Sequence, residues 1–365
     1  MAENGTLTAI GLMSGTSMDG IDAAVLRTDG ERVEGFGPSL SIPYETAFRD
    51  RLRAILGRDP KGDAEASAVA EELTSHHADA VRRLISENGV DPETIDVIGF
   101  HGHTVFHQPD KGITRQIGDG GRLARETGIS VVSDLRANDV FHGGQGAPFA
   151  PLYHAALSWN YEKPLAVLNI GGVANVTWIS PDGGLIAFDT GPGNALLDDW
   201  VRQHEHGDMD LGGHLAHAGH VDENALARLL DNPYFTRPYP KSLDRDDFDL
   251  DPVAHLSVAD GAATLTAFSV GAVEKAVHLF PALPNRWLVC GGGRHNPAIM
   301  AALRKILVQP VEPAEMAGWQ GDALEAQAFA FLAVRSLKGL PLSLPSTTGV
   351  SKPVSGGVLH RPDGG

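Results

Sequence analysis

Two stretches of the chain follow the same plan. "TAIGLM" (8–13) and "IDAAVL" (21–26) read as strands on either side of the turn "SGTSMDG", and "PLAVLNIGGVANVTWIS" (164–180) repeats a strand, a glycine turn and a strand. The second copy runs on through "PDGG" into "LIAFDTGPG" (185–193), and later "RWLVC" (286–290) ends in three glycines before a helix. This recurrence constrains the chain to an alternating α/β architecture with an internal repeat. Glycine lets backbone N–H groups approach an anion, so two such turns facing each other can cradle a polyphosphate. The third turn can bring backbone against a flat base or ribose. Taken alone, the opening turn reads as a hairpin, an anion-binding turn or the seat of a nucleophilic Ser or Thr, because hairpins commonly use Gly and Asp. The three turns in this order are far more specific.

The remaining segments fit the same class. Residues 64–88 read as a helix with Leu73, Val81, Leu84 and Ile85 on one stripe and Gly89 as its stop. "IDVIGF" (95–100) and "ISVVS" (129–133) read as buried strands, and Asn194 as the cap of the helix "ALLDDWVRQ". Further helices are expected at about 254–280, 297–307 and 322–338, with Gly261 and Gly271 weakening the first. The end, "LPSTTGVSKPVSGG", reads as a loop, a tail or a returning edge segment.

Size and charge narrow the function. At 365 residues, two lobes are expected. A formal charge of −17 disfavours a nucleic-acid or anionic-membrane partner, which needs a basic face. No apolar run is long enough to span a bilayer, and no charged-then-apolar signal opens the chain. The lone Cys290 excludes an internal disulfide framework, so a cytoplasmic location is expected. Backbone N–H groups, helix N-termini and a bound cation still allow an acidic protein to hold an anionic ligand.

Several motifs together identify a resemblance. "GLMSGTSMDGIDAAVL", "GFHGHTVFHQP", "SDLRANDVFHGGQGAP", "NIGGVANVT", "FDTGPGNALLDDW", "PKS", "ATLTAF", "VCGGGRHNPAIM" and "GDALEAQAFAFLA" resemble the anhydro-N-acetylmuramic acid kinase family over nearly the whole chain. The resemblance implies a two-lobed actin/hexokinase-like ATPase fold, with mixed sheets flanked by helices and a central cleft. It implies an N-terminal lobe of residues 1–135 joined by 343–365, and a C-terminal lobe of 136–342. The implied reaction takes 1,6-anhydro-N-acetylmuramic acid, ATP and water to N-acetylmuramic acid 6-phosphate and ADP, in recycling of cell-wall sugars. A homodimer is one arrangement it leaves open. "DLGGHLAHAG" (210–219) and the residues after Lys241 and Ser242 depart from the family's usual pattern, which bears on local loop contacts rather than on the reaction.

The resemblance also assigns roles. Ser14, Gly15, Thr16, Ser17, Met18, Asp19, Gly20, Ile21 and Asp22 would form the first phosphate loop, with Asp19 or Asp22 helping to hold Mg²⁺, in part through water. Gly171, Gly172 and Asn175 would belong to the second phosphate loop. Gly291, Gly292 and Gly293 would contact the adenosine, with His295 and Asn296 following at a helix N-terminus. For sugar recognition the candidates are His101, His103, Asp134, Arg136, Asp139, Gln145 and Glu325. Arg136 could read the lactyl carboxylate as a planar fork, or pair with Asp134 or Asp139.

Asp189 is the candidate base. It ends the strand "LIAFDT", and the glycines after it leave space beside its short carboxylate; an Asx-turn or a cap is the structural alternative. The anhydro bridge ties up the 6-oxygen until the glycosidic bond opens, so the reaction needs a group to deprotonate a water at the anomeric carbon. Other readings compete. "HGHTVFH" with His142, His204, His206 and His214 suggests a metal-dependent hydrolase, which leaves the glycine turns unexplained. An actin-like ATP-binding assembly protein leaves "HGHTVFHQP" and "FDTGPGN" without a purpose. A levoglucosan-type anhydrosugar kinase shares the motifs and differs in the side groups of its substrate. A Rossmann site lacks its fingerprint.

Overall fold

The computed structural model describes residues 5–15, 17–243 and 247–363. The chain divides into two compact units, Met1–Trp159 with Ala323–Gly365, and Asn160–Asp322. In the first, β1 (Leu7–Met13), β2 (Gly20–Thr28) and β3 (Val33–Pro43) form an antiparallel meander. On the other side of β1 lies β4 (Val97–Phe100), parallel to it. The hairpin of β5 (His103–Gln108) and β6 (Ile113–Ile117) is a separate small sheet, and β7 (Val131–Ser133) continues the main sheet parallel to β4.

The second unit repeats this plan. There β8 (Leu165–Ile170), β9 (Val173–Ile179) and β10 (Leu185–Pro192) form the meander, and β11 (Arg286–Cys290) and β12 (Val311–Pro313) follow in parallel beyond β8. The end segment returns as an edge: β13 (Val358–His360) pairs antiparallel with β7. The orders β3-β2-β1-β4-β7-β13 and β10-β9-β8-β11-β12 share one topology. Mixed sheets flanked by helices, as the resemblance implied, make up both units.

Local chemistry explains the helices that cover the sheets. Asp63 accepts hydrogen bonds from the Glu65 and Ala66 N–H groups at the start of the Ala64–Asn88 helix, and Gly89 ends it with φ of 62°. Leu73, Val81 and Leu84 are buried as the stripe predicts, while Ile85 is partly buried. Val81 and Leu84 pack with Ile10, Leu12, Ile21 and Val25 of the first sheet. In the second unit the Val258–Val277 helix packs Val270 and Val273 on Leu168, Val176, Phe188 and Val289. Each such fully buried side chain contributes about 1.5–3 kcal/mol.

The expected lobe boundaries move. Residues 136–159 and 323–342, expected in the C-terminal lobe, belong to the first unit. The cause is close packing of the Leu324–Leu337 helix on the first sheet. Gly11 and Gly99 are partners across β1 and β4. A Cβ on Gly11 would stand 1.7 Å from the Ala326 carbonyl oxygen, and one on Gly99 2.1 Å from that of Phe329. Only bare backbone at both positions lets the helix lie this close.

Candidate active site

The candidate residues fall into two groups, one in each unit. In the first unit, Ser14 is buried, with its Oγ 2.7 Å from the Tyr44 hydroxyl and 2.9 Å from His103 Nδ1. Burial holds the His103 imidazole neutral by pulling its pKa down to about 4. Ser14 is thus an interior hydrogen-bonding group rather than the nucleophile of the turn. Thr16 lies outside the described residues. Met18 adopts a left-handed backbone, φ 54°, with its side chain in the core. A non-glycine residue there is held in strain of order 1–3 kcal/mol by its surroundings.

Beyond that bend the chain enters the sheet. Gly20 pairs with Pro43, and its absent Cβ would stand 2.2 Å from the Ile42 carbonyl oxygen. Ile21 packs in the core, so the loop proper spans Ser14 to Asp19. The Gly15 position is open: a Cβ there would meet nothing nearer than Ser17 Oγ at 3.6 Å. Ser17 Oγ donates to Asp19 at 2.8 Å and Ser41 Oγ to Asp22 at 2.5 Å. Burial first, then the charges of Asp19 and Asp22, push the Tyr44 phenol up, so both carboxylates act on this side of the turn. Among the described residues no group of three or more His, Cys, Asp or Glu side chains could hold a metal. Two carboxylates fit the share a protein gives to Mg²⁺ that arrives with phosphates and water.

Most sugar candidates of this unit are bonded within the protein, and His101 and Arg136 to each other. His101 donates from Nδ1 to the Gly102 carbonyl and accepts from Arg136 Nε at Nε2, 2.9 Å in each case. Burial, then the charge of Arg136, holds this imidazole neutral, as accepting from a guanidinium requires. Arg136 also donates from Nη1 to the Gly146 carbonyl and lies against the rings of Phe149 and Phe329. Asp139 accepts from the Gly146 N–H and the Thr348 hydroxyl, 2.7 and 2.6 Å, and so fastens the "GGQG" loop. Gln145 takes part through backbone, its N–H on Thr348 and its carbonyl on His107. Asp134 is exposed in a left-handed conformation, and Glu325 is half-buried in the first turn of its helix.

In the second unit Asp189 is 6% exposed near the end of β10, where a bulge interrupts pairing between Asp189 and Gly191. One loop holds it. The Asp189 N–H donates to the Lys241 carbonyl at 3.1 Å, and its own carbonyl accepts from the Tyr234 hydroxyl at 2.5 Å. Its Oδ2 accepts from the Leu243 N–H at 2.8 Å. These bonds tie both the backbone and the carboxylate of Asp189 to the 234–243 loop.

Two glycine loops converge beside β8. The Gly193 and Asn194 N–H groups donate to the Gly172 and Gly171 carbonyls. Asn194 does not cap its helix by side chain; Nδ2 donates to the Ile170 carbonyl instead. Gly291, with φ of 74°, and Gly293 are required by the fold, since a Cβ on either would run into Asn169 or Ile170. Gly171 and Gly292 have ordinary φ and no neighbour of a would-be Cβ nearer than 3.6 Å. Nothing within the protein demands glycine there, and the open space fits close approach of an anionic ligand to backbone.

The residues after the third loop act structurally. Asn296 caps the Pro297–Ile306 helix through the Ala298 and Ile299 N–H groups, and His295 lies 2.9 Å from Asp322. Arg294 is buried and ion-paired with Glu315 and Asp322, at 2.8 and 2.7 Å, which anchors the loop. Asn175 is half-buried opposite Asp189 in the β9–β10 ladder. Sequence reasoning missed Asn169, Asn194 as a loop clasp, Tyr234 and Arg294. "NIGG", "GPGN" and "GGGR" contain three of them, but the sequence shows no partner for their side chains.

The chain matches the family model "AnmK: Anhydro-N-acetylmuramic acid kinase" over residues 7–362. It is 56% identical over 357 residues to an anhydro-N-acetylmuramic acid kinase of Rhodospirillum rubrum, covering 97% of this chain and 94% of the relative. The corresponding protein of Acidiphilium cryptum is 55% identical over 360 residues, covering 97% and 98%. Among solved structures, component A of the Acidaminococcus fermentans (R)-2-hydroxyglutaryl-CoA dehydratase covers 90% of this chain and 99% of its own, at 13% identity and TM-score 0.48. That likeness is too distant to bear on the site. On its sequence the chain belongs to the anhydro-N-acetylmuramic acid kinase family.

Proposed function

We propose that this chain opens 1,6-anhydro-N-acetylmuramic acid with water and phosphorylates its 6-oxygen from ATP, releasing N-acetylmuramic acid 6-phosphate and ADP. Asp189 takes a proton from water as that water attacks the anomeric carbon. The bond from the anomeric carbon to the bridging oxygen breaks, and its electron pair stays on the 6-oxygen. That oxygen attacks the γ-phosphorus in line while the bond to ADP breaks. No general acid is needed, because the phosphorus takes the place of a proton on the leaving oxygen. The open backbone at Gly15, Gly171 and Gly292 would accommodate phosphates and nucleoside, and Asp19 and Asp22 would help hold Mg²⁺, which would offset phosphate charge. Among the described residues no helix is long and apolar enough to cross a membrane, which is compatible with work in the cytoplasm.

The observation that carries the reading is the Asp189 carboxylate, buried yet held by Leu243 N–H and by a loop tied to its backbone. A base that must meet one water in one direction requires such fixing. Asp189→Asn keeps the shape and removes the proton acceptor. Sugar phosphorylation falls by about a hundredfold or more, while binding of an ATP analogue persists. Near-normal turnover in this variant contradicts the assignment. Running the assay with levoglucosan in parallel separates a muramic acid kinase from a kinase of the bare anhydrosugar.

A further inference from the structure

Beneath Asp189 lies a cation that the reaction just described does not use. Lys241 is 3% exposed. Its Nζ donates to the Tyr234 carbonyl at 2.8 Å, stands 4.3 Å from the Tyr234 ring centroid and lies 5.4 Å from that of Phe188. An ammonium between two aromatic faces and a carbonyl is expensive to bury and needs these partners. The same residues reach Asp189 three ways: the Tyr234 hydroxyl on its carbonyl, the Lys241 carbonyl on its N–H, and Leu243 on its carboxylate.

We infer that Lys241 is a positioning residue for Asp189: its ammonium pins the 234–243 loop that holds the base and supplies a positive charge favouring the carboxylate's ionised form. The inference rests on Asp189 being the base. Charge coupling between the two is reciprocal. Burial is the main influence on Lys241 and lowers its pKa to about 8, helped by the like charge of Arg237 and opposed by Asp189. Tyr234, the titratable group under the ammonium, is itself pushed up by burial and then by Asp189; Arg237 opposes this and Asp247 adds to it. Its phenol therefore stays protonated and keeps donating. The ammonium is present below about pH 8 and lost above it, so the hold on Asp189 weakens on the alkaline side.

Lys241→Met and Lys241→Arg, measured beside wild type and Asp189→Asn, test this. In Lys241→Met, kcat for sugar phosphorylation falls between about tenfold and a hundredfold while affinity for an ATP analogue stays within about twofold. Lys241→Arg recovers most of the loss. Wild-type kcat/KM declines above about pH 8 towards the level of the Met variant, and neither variant shows that decline. A Met variant with wild-type kcat and the same alkaline decline overturns the inference while Asp189→Asn remains inactive. An active Asp189→Asn enzyme removes the base itself and is thereby told apart. Should Lys241→Met fail to fold, the lysine Nζ resonances of wild type and Asp189→Asn decide. One lysine titrating near pH 8, and lower still in Asp189→Asn, supports the coupling; lysines that all titrate near 10.5 overturn it.

Discussion

Adjacent glycines in the third loop do different work. Gly291 has φ of 74° and no room for a Cβ, which would stand 2.3 Å from Asn169; Gly292 has ordinary φ and nothing nearer than 3.7 Å. Gly291→Ala therefore lowers thermal stability. Gly292→Ala leaves the melting temperature within about 2 °C, yet raises KM for ATP about tenfold or more if the open space beside it takes the nucleotide as proposed. Equal loss of stability in both variants contradicts the division. The histidines give a second test at this scale. Burial pulls His77 and His103 from the ordinary 6.5 down to about 4. Between those values the folded chain binds fewer protons than the unfolded one, so their contribution is complete above pH 6.5 and is lost on descent towards pH 4. Each unit is worth about 1.4 kcal/mol per histidine. The melting temperature accordingly falls already between pH 6.5 and 5; a constant value across that interval contradicts it. The sequence singles out Asp189 because the implied reaction needs a base at a strand end, and the fold buries it near the end of β10. Ser14, Asp139 and Asn296 are ligand candidates by residue type, but each side chain bonds within the protein. Residue type shows the capacity to bond; only the fold shows with whom.

Strands were read well where apolar residues cluster between glycine turns, as in β1, β2, β8, β10 and β11. The 33–43 strand and the β5–β6 hairpin escaped, since β3 is half-exposed throughout and its pattern is that of a polar edge. The helix expected at about 254–280, weakened by Gly261 and Gly271, forms over Val258–Val277, where packing outweighs intrinsic propensity. A Cβ on Gly261 would stand 2.3 Å from the Trp200 ring, so the glycine that weakens the helix also lets it seat. Gly11 and Gly99 do the same for the Leu324–Leu337 helix, and this contact, invisible in sequence, is what moves the lobe boundary. Gly11→Ala, whose methyl meets the Ala326 carbonyl, costs about 3 kcal/mol or more in urea unfolding. A loss below about 1 kcal/mol would show that the helix can shift freely on the sheet.

At the scale of the whole molecule, one strand order appears in both units, and each presents glycine-lined backbone at the end of its first strand. The repeat was readable because both copies keep strand, glycine turn and strand in the same sequence order. The account's central claim is that one catalytic cycle opens the anhydro bridge and transfers the phosphoryl group. Reaction in heavy-oxygen water tests this most directly, with product read by mass spectrometry and carbon NMR before mutarotation exchanges the label. The account predicts heavy oxygen on the anomeric carbon with inverted configuration, and an unlabelled bridging oxygen in the 6-phosphate ester. Heavy oxygen in phosphate, with the anomeric carbon unlabelled, would mean that water attacks ATP and would contradict the account.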